Sequence, residues 1–189
     1  LQSHYDSIIS IHLPHEMSGT YQSAISASKR INDSSITVVD GLSASVGLGL
    51  IVMRAAALVK DGRKHNEIEE SLSEIITSTD IFIVVRDLSY VVKGGRLPGW
   101  VKTIAEFLHI QPIMTTKDNG SMGLASVIRE TADLPEKMSK FILRKMDADK
   151  FYNVSIGHSN ILADGEKLKE LILKGHENLN SIYLMDLGC

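Results

Sequence analysis

Short apolar runs alternate with stretches of helical periodicity in the first part of the chain. Apolar and β-branched residues fill 7–13 and 36–39, which predicts two buried β-strands. Apolar residues at helical spacing predict a helix over Thr20–Ile31 and a long helix that ends near Lys60. The order strand, helix, strand, helix is typical of a parallel β-sheet covered by helices.

Residues with capping preferences predict where the helices begin and end. Ser43 is the expected N-cap of the long helix, and Gly62 stands just beyond its end, where a left-handed residue commonly terminates a helix. Asn66 and Glu69 have the spacing of a capping box, which predicts the start of a third helix. The apolar residues of this third helix share one face: Ile68, Leu72, Ile75 and Ile76.

The pattern changes near residue 79. Strands are predicted at 81–85, 111–116 and 122–128, and Lys117-Asp118-Asn119-Gly120 between the last two has the composition of a hairpin turn. We therefore expect those two strands to pair antiparallel. Helices at 88–92, 100–108, 133–146 and 164–174 and strands at 152–157 and 181–185 complete the prediction.

These patterns predict an α/β protein with two domains. Residues 1–79 are expected to form part of an N-terminal parallel α/β domain, and residues 80–189 a C-terminal domain with a mixed sheet. The chain starts on Leu1 rather than methionine and stops just after an apolar, strand-like run. We therefore expect both ends to be cuts through a larger protein, with the second domain truncated at its end.

The composition restricts the classes of function. With 189 residues, 43% of them hydrophobic, the chain is long enough to bury a core. The net charge of −3 gives no electrostatic reason to expect a nucleic-acid partner or a membrane surface. The most apolar window, 46–59, is too short to span a bilayer. The one cysteine, Cys189, excludes an internal disulfide and fits a cytoplasmic protein.

The motif Met17-Ser18-Gly19-Thr20 follows the first predicted strand and opens the first predicted helix. The first backbone amides of a helix have no partner inside it, and the helix dipole adds about half a positive charge there. The Ser18 hydroxyl can donate to an anion, and Gly19 lets a ligand approach the backbone closely. The motif therefore predicts a carboxylate or phosphate site near Ser18. The alternative, compatible with the first, is that Ser18 only caps its helix.

The segment 40–49 has the same arrangement after the second predicted strand. In an open parallel sheet, ligands bind beyond the carboxyl ends of the strands, where two such loops can converge. The segment lacks the GxGxxG spacing and the lysine of phosphate-binding loops. Gly47 and Gly49 more often mark close packing of a helix, and the segment taken alone favours that alternative.

The segment 90–96 ends a short predicted helix with two glycines between two cations, Lys93 and Arg96. One interpretation is a C-cap with cations at the favourable end of the helix dipole. The other is an exposed basic corner that a protein partner binds. The segment taken alone favours the first, because most charges at helix ends are simply solvated.

Seven histidines raise the alternative of an enzyme that transfers a phosphoryl group or hydrolyses a substrate. His158, at the end of an apolar strand, is the best placed for such chemistry, and His15 is a second candidate. The sequence has no paired His or Cys spacing typical of a metal site. Ser18 lies outside any GxSxG elbow. This absence of a catalytic pattern favours a binding protein, without metal or cofactor, over an enzyme.

Several of these stretches together resemble the DegV family of bacterial fatty-acid-binding proteins, in the family's order and at about its spacing. They are Met17-Ser18-Gly19-Thr20-Tyr21-Gln22-Ser23-Ala24, Ser43-Ala44-Ser45-Val46-Gly47-Leu48-Gly49, Tyr90-Val91-Val92-Lys93-Gly94-Gly95-Arg96, Ile110-Gln111-Pro112-Ile113-Met114 and Val127-Ile128-Arg129. The resemblance implies a two-domain α/β protein, a small parallel-sheet domain plus a mixed α/β domain. It also implies that one long-chain fatty acid binds in a tunnel between the two domains.

The resemblance assigns expected roles to residues. Ser18 is expected to help hold the fatty-acid carboxylate, and some members of the family present that carboxylate to a separate kinase for phospholipid synthesis. A fatty acid kinase is therefore an expected partner. The residues expected around the head group are Ser18, Gly19, Thr20, Ser43, Ser45, Gly47 and Arg129. The residues expected to contact the partner are Lys93 and Arg96.

The chain also departs from the family's usual pattern. Pro14-His15 replaces small hydroxyl residues ahead of the first turn, Gly41 replaces a serine and Glu130 replaces a glycine. The family usually has a second carboxylate-holding hydroxyl in a Thr-Ser-Gln-Pro segment upstream of residue 1, and a Gly-x-His-x-Gly-Pro-Gly segment downstream of Cys189. Part of the head-group site is therefore expected outside these 189 residues.

Overall fold

A computed structural model describes residues 5–31, 35–97, 99–108, 110–129 and 131–188 of the chain. Glu130 and Cys189 lie outside the described residues. The strands are β1 (Ile8–His12), β2 (Ile36–Asp40), β3 (Ile83–Val84), β4 (Ile110–Thr116), β5 (Met122–Arg129), β6 (Tyr152–His158) and β7 (Leu179–Asp186). The helices are α1 (Thr20–Ile31), α2 (Ser45–Lys60), α3 (His65–Thr77), α4 (Ser89–Lys93), α5 (Gly99–Phe107), α6 (Leu134–Leu143) and α7 (Leu162–Gly175).

The strands of the described residues form three small sheets, two of them parallel and one antiparallel. β1 and β2 pair parallel from Ile8 opposite Ile36 to His12 opposite Asp40, as the strand–helix alternation predicts. β3, β4 and β5 form an antiparallel sheet in that order, and the expected hairpin joins β4 to β5. β6 and β7 form a second parallel pair. The α/β class with parallel and antiparallel pairing is therefore confirmed.

Three apolar clusters of described residues pack the sheets against the helices. The first lies between the β1–β2 sheet and helices α2 and α3, where Ile51 and Leu72 are fully buried. The other two cover the β3–β4–β5 sheet, one centred on Met114 and the other on Ile113. Each fully buried side chain of this size contributes about 1.5–3 kcal/mol to the stability of the fold. No helix of the described chain combines the length and apolar character needed to cross a membrane.

Two of the predicted helix starts are wrong. Helix α2 begins at Ser45 with Ala44 as its N-cap, and no side chain caps it. Ser43 is not the cap because its hydroxyl lies buried over Gly47, in the first turn of the helix. The predicted helix end is confirmed: Lys60 is the last residue of α2, and Gly62 follows with a φ of +76°.

Helix α3 begins one residue before the predicted capping box. Its N-cap is Lys64, whose backbone amide donates to the Glu67 carboxylate at 2.8 Å, so Asn66 and Glu69 do not form the box. That bond to a backbone amide is also the main reason why the pKa of Glu67 is lowered. The apolar face was predicted correctly, because Ile68 and Leu72 are buried.

Strand β3 and helix α6 are also shorter than predicted. Only Ile83–Val84 of the strand expected at 81–85 pairs with a neighbour. Helix α6 ends at Leu143 rather than near 146, because the chain tightens there and the Lys145 amide bonds to the carbonyl three residues before it.

Candidate functional site

Three loops from distant parts of the chain meet beyond the carboxyl ends of β1 and β2. They are the β1–α1 loop, the β2–α2 loop and the tip of the β4–β5 hairpin. At the tip, a Cβ added to Gly120 would lie 2.7 Å from the Pro14 Cβ and 3.2 Å from the Leu42 Cδ2. Gly120 also has a φ of +80°, which favours glycine. The hairpin tip therefore touches both loops.

The Ser18 turn is closed by the carbonyl of buried Pro14. That oxygen accepts from the amides of Met17 at 2.9 Å and Ser18 at 3.0 Å. The Ser18 Oγ then accepts from the Thr20 amide at 3.3 Å and from the Thr20 hydroxyl at 3.2 Å. Ser18 thus satisfies one of the first amides of α1 and, among the bonds of the described residues, keeps its own hydroxyl hydrogen to donate.

The space beside the turn is open. Ser18 is half-buried, Thr20 is exposed, and a Cβ added to Gly19 would meet no other described residue within 4 Å. The first amides of α1 point out of this end of the helix, where the dipole favours negative charge. An anion can therefore approach the backbone here without displacing a side chain.

Asp40, the last residue of β2, joins the first loop to the second. Its Oδ2 accepts from the His15 Nδ1 at 2.5 Å and from the His15 amide at 3.2 Å. Its Oδ1 accepts from the Leu42 amide at 3.1 Å. The bond to Asp40 is the main cause of a raised pKa at His15, with a smaller contribution from Glu16.

The β2–α2 loop has unusual backbone geometry. Leu42 and Ser45 have φ of 47° and 49°, in the left-handed region that non-glycine residues seldom adopt. Gly41 leaves no space for a side chain, because an added Cβ would lie 2.5 Å from the Leu48 Cδ1 and 2.8 Å from the His12 carbonyl oxygen. Strain of this kind, about 1–3 kcal/mol per residue, is retained where the surroundings fix it and is common at ligand sites.

The serines and the glycine of this loop differ in accessibility. Ser45 is exposed, whereas Ser43 is 1% exposed and its Oγ has no hydrogen-bond partner among the described residues. Gly47 is buried beneath Ser43. Of the three, only Ser45 can contact a ligand without rearrangement of the loop.

Arg96, in the basic segment 90–96, lies next to the Ser18 turn. Its Nε donates to the Met17 carbonyl at 3.3 Å, and its guanidinium also bonds the Gly94 carbonyl. Lys93 takes a different course, with its Nζ 5.8 Å from the centre of the exposed Tyr90 ring. The structure thus brings Arg96 next to the Ser18 turn and leaves Lys93 on the surface.

Arg129 lies apart from these residues. It is the exposed last residue of β5, and the hairpin tip that touches Pro14 is at the other end of the same strand. A strand of eight residues spans roughly 25 Å. Contact between Arg129 and a head group therefore stays a prediction.

His158 lies in a buried position between β6 and α7. It is 7% exposed, and its ring packs beside Gly165. Its Nδ1 has no hydrogen-bond partner within the part of the chain that is described. Among the described residues, no group of His, Cys, Asp or Glu is arranged to hold a metal ion.

An apolar groove of about 330 Å³ runs between β1, α2 and α3. Two polar groups at its rim are already engaged: Arg63 pairs with Glu67 at 3.6 Å, and the His65 Nε2 bonds the Thr37 hydroxyl at 2.7 Å.

Comparison with known proteins gives a consistent result. The model of a family described as uncharacterised proteins of the DegV family matches residues 1–189. The DegV domain-containing protein SACOL1460 of Staphylococcus aureus is 32% identical over 164 residues, which cover 87% of this chain and 58% of that protein. The chain therefore spans less than two thirds of the length of this relative.

Two solved structures share the fold. The DegV family protein Cg2579 of Corynebacterium glutamicum aligns with a TM-score of 0.86 and 23% identity, over 96% of this chain and 68% of that one. The fatty acid kinase B3 protein of Streptococcus pneumoniae, loaded with linoleic acid, aligns with a TM-score of 0.84 and 20% identity, over 95% and 64%.

Proposed function

Because the chain belongs to the DegV family, we propose that it binds a long-chain fatty acid and holds its carboxylate at the Ser18 turn. The observation that carries the proposal is the open space at the start of α1, with the Ser18 hydroxyl beside it and the Arg96 guanidinium bonded to the preceding residue. The linoleic acid in the Streptococcus pneumoniae neighbour supports the class of ligand.

The chemistry of this turn suits a carboxylate. The Ser18 hydroxyl donates one hydrogen bond, the first amides of α1 donate others, and the positive charge of Arg96 lies next to them. A hydrogen bond to a charged group contributes about 1.5–3 kcal/mol. Ser45 borders the head group from the second loop in this proposal. Ser43 and Gly47 lie buried behind Ser45 and would reach the head group only after a rearrangement of the loop, and Arg129 is a weaker candidate. Gly19 and Thr20 are also proposed contacts, because the ligand can approach the backbone closely there.

The acyl chain supplies most of the binding free energy. Each buried methylene contributes about 0.8 kcal/mol. In this proposal the acyl chain lies in a tunnel between two protein domains, one formed by residues 1–79 and the other by residues 80–189. The relatives are longer than this chain, so the complete tunnel and head-group site are proposals for the whole protein.

The protein acts by presenting its ligand rather than by turnover. In this proposal a fatty acid kinase docks on the basic corner through Lys93 and Arg96 and phosphorylates the carboxylate for phospholipid synthesis. The chemical step belongs to that kinase, and no group of this chain transfers a proton or a phosphoryl group.

A matched pair of serine variants tests the ligand site. Ser18 and Ser26 both lie on or beside α1, but the Ser26 hydroxyl donates to the Gln22 carbonyl of its own helix and has no further bond among the described residues. We expect Ser18→Ala to weaken linoleic acid binding to the delipidated protein by about tenfold or more, because one charge-assisted hydrogen bond is lost. Ser26→Ala is expected to bind like the wild type. Native mass spectrometry measures both, and equal affinities in the two variants would contradict the proposal.

A further inference from the structure

Asp40 spans the two loops that border the proposed head-group site. Its side chain is 16% exposed, and both of its oxygens are occupied, Oδ2 by His15 and Oδ1 by the Leu42 amide. One partner lies 25 residues earlier in the chain and the other two residues later. A single partly buried carboxylate therefore fixes the distance between the β1–α1 loop and the β2–α2 loop.

His15 transmits this constraint to Ser18. Its backbone amide and its ring both bond to Asp40, and buried Pro14 before it packs against the hairpin tip at Gly120. The Pro14 carbonyl in turn accepts the Ser18 amide at 3.0 Å. The segment that positions Ser18 is thus held on one side by Asp40 and on the other by Gly120.

We propose that His15 and Asp40 form a positioning pair that holds the Ser18 turn ready for its ligand, and that the pair is strongest while His15 is charged. The inference rests on the proposed function and adds a regulation of the same site. The ligand of this site is the fatty-acid carboxylate already proposed, and neither His15 nor Asp40 needs to contact it.

The charge on His15 matters because both ring nitrogens face carboxylates. Nδ1 lies 2.5 Å from Asp40, on β2, and Nε2 lies 3.4 Å from the Glu16 Oε1, in the same loop. The third titratable group beside the ring is Tyr21 on α1, with a centre-to-centre distance of 6.3 Å. A neutral imidazole donates from one nitrogen only, whereas the charged ring donates from both.

The sign of the pH dependence follows from this geometry. The pKa of His15 is raised above its usual 6.5, chiefly by the bond to Asp40. The interaction is therefore complete at low pH and is lost as the pH rises through the raised value. As the pH rises through the raised pKa of His15, the linoleic acid affinity of the wild type should fall about two- to fivefold, as expected for a single exposed ionic contact.

A histidine titration by NMR in the lipid-free protein tests the pair itself. His15, assigned by its absence in His15→Gln, should titrate above 6.5 in the wild type and move towards 6.5 in Asp40→Asn. The same titration midpoint of His15 in both proteins would overturn the proposal, because Asp40 would then not interact with the His15 ring.

The affinity for linoleic acid, measured between pH 6.5 and 9, tests the effect of the His15–Asp40 pair on ligand binding. The wild type should lose affinity as the pH rises, and His15→Gln should bind with no such step. His65→Gln is the control, since His65 bonds Thr37 away from this site, and it should keep the wild-type profile. A step that persists in His15→Gln overturns the positioning pair alone. Absence of binding by every variant at every pH overturns the proposed function together with the pair.

Discussion

Gly47 and Gly49 stand two residues apart in α2 and have different surroundings. A Cβ added to Gly47 would collide with the Ser43 Oγ and lie 3.3 Å from the Ile81 Cβ, whereas a Cβ at Gly49 would meet no other residue of the described chain within 4 Å. We expect Gly47→Ala to lower the free energy of unfolding by about 1–3 kcal/mol because the helix start is overpacked. Gly49→Ala should raise it by about 0.5–1 kcal/mol through helix propensity.

Chemical denaturation of the two variants measures this difference. Each substitution adds one methyl group to the same helix, so the comparison isolates the local space. Equal effects of the two substitutions would show that Ser43 does not press on the first turn of α2.

At the residue scale, the sequence predicted Ser18 better than Asp40. A hydroxyl and a glycine at the start of a helix form a local pattern, and both interpretations of Ser18 were visible in it. Its oxygen accepts from Thr20, as a capping group does, and the proposed ligand contact stays open beside it. Asp40 gave no such signal, because its partner His15 is distant in sequence and adjacent only in the fold.

At the scale of elements, the tip of the β4–β5 hairpin packs against both the β1–α1 loop and the β2–α2 loop. We expect Gly120→Ala to destabilise the protein by at least about 2 kcal/mol, because the new methyl adds a collision with Pro14 to the strain of a positive φ. Gly62 has a similar φ of +76° and open space around it, so Gly62→Ala should cost only about 1–2 kcal/mol.

Unfolding measurements on Gly120→Ala and Gly62→Ala separate the contact from the strain. Amide chemical shifts report the same contact locally, and we expect Ser18 and Leu42 to shift in Gly120→Ala and not in Gly62→Ala. If both variants lose the same stability and leave those amides unchanged, the hairpin tip does not support the loops.

The elements themselves were largely predictable from local patterns. Helix α1 has the predicted bounds, and the β4–β5 hairpin follows from its turn composition. The predicted cap at Ser43 failed because tertiary packing turned this side chain inward, where a buried hydroxyl over a glycine replaced a bond to the helix amides. Strand β3 is short because pairing with β4 ends after two residues, which hydrophobicity alone does not reveal.

At the scale of the whole molecule, contacts of long sequence separation decide what the loops can do. Arg96 reaches the Met17 carbonyl across 79 residues, and the Arg86 guanidinium pairs with Asp164 at 2.7 Å across 78. Helix α2 meets β6 where Val46 packs on Gly157. Periodicity does not encode contacts of this kind. The sequence therefore predicted the order of the elements, and the proximity of Arg96 to the Ser18 turn is visible only in the structure. The boundary near residue 79 stays a prediction.

The central claim is that the Ser18 turn holds a fatty-acid carboxylate. A crystal structure of the protein with linoleic acid tests it most directly. We predict a carboxylate oxygen within hydrogen-bond distance of the Ser18 Oγ, about 2.5–3.0 Å, with the acyl chain leading away from the start of α1. A carboxylate bound elsewhere, with the Ser18 turn open to solvent, would contradict the account.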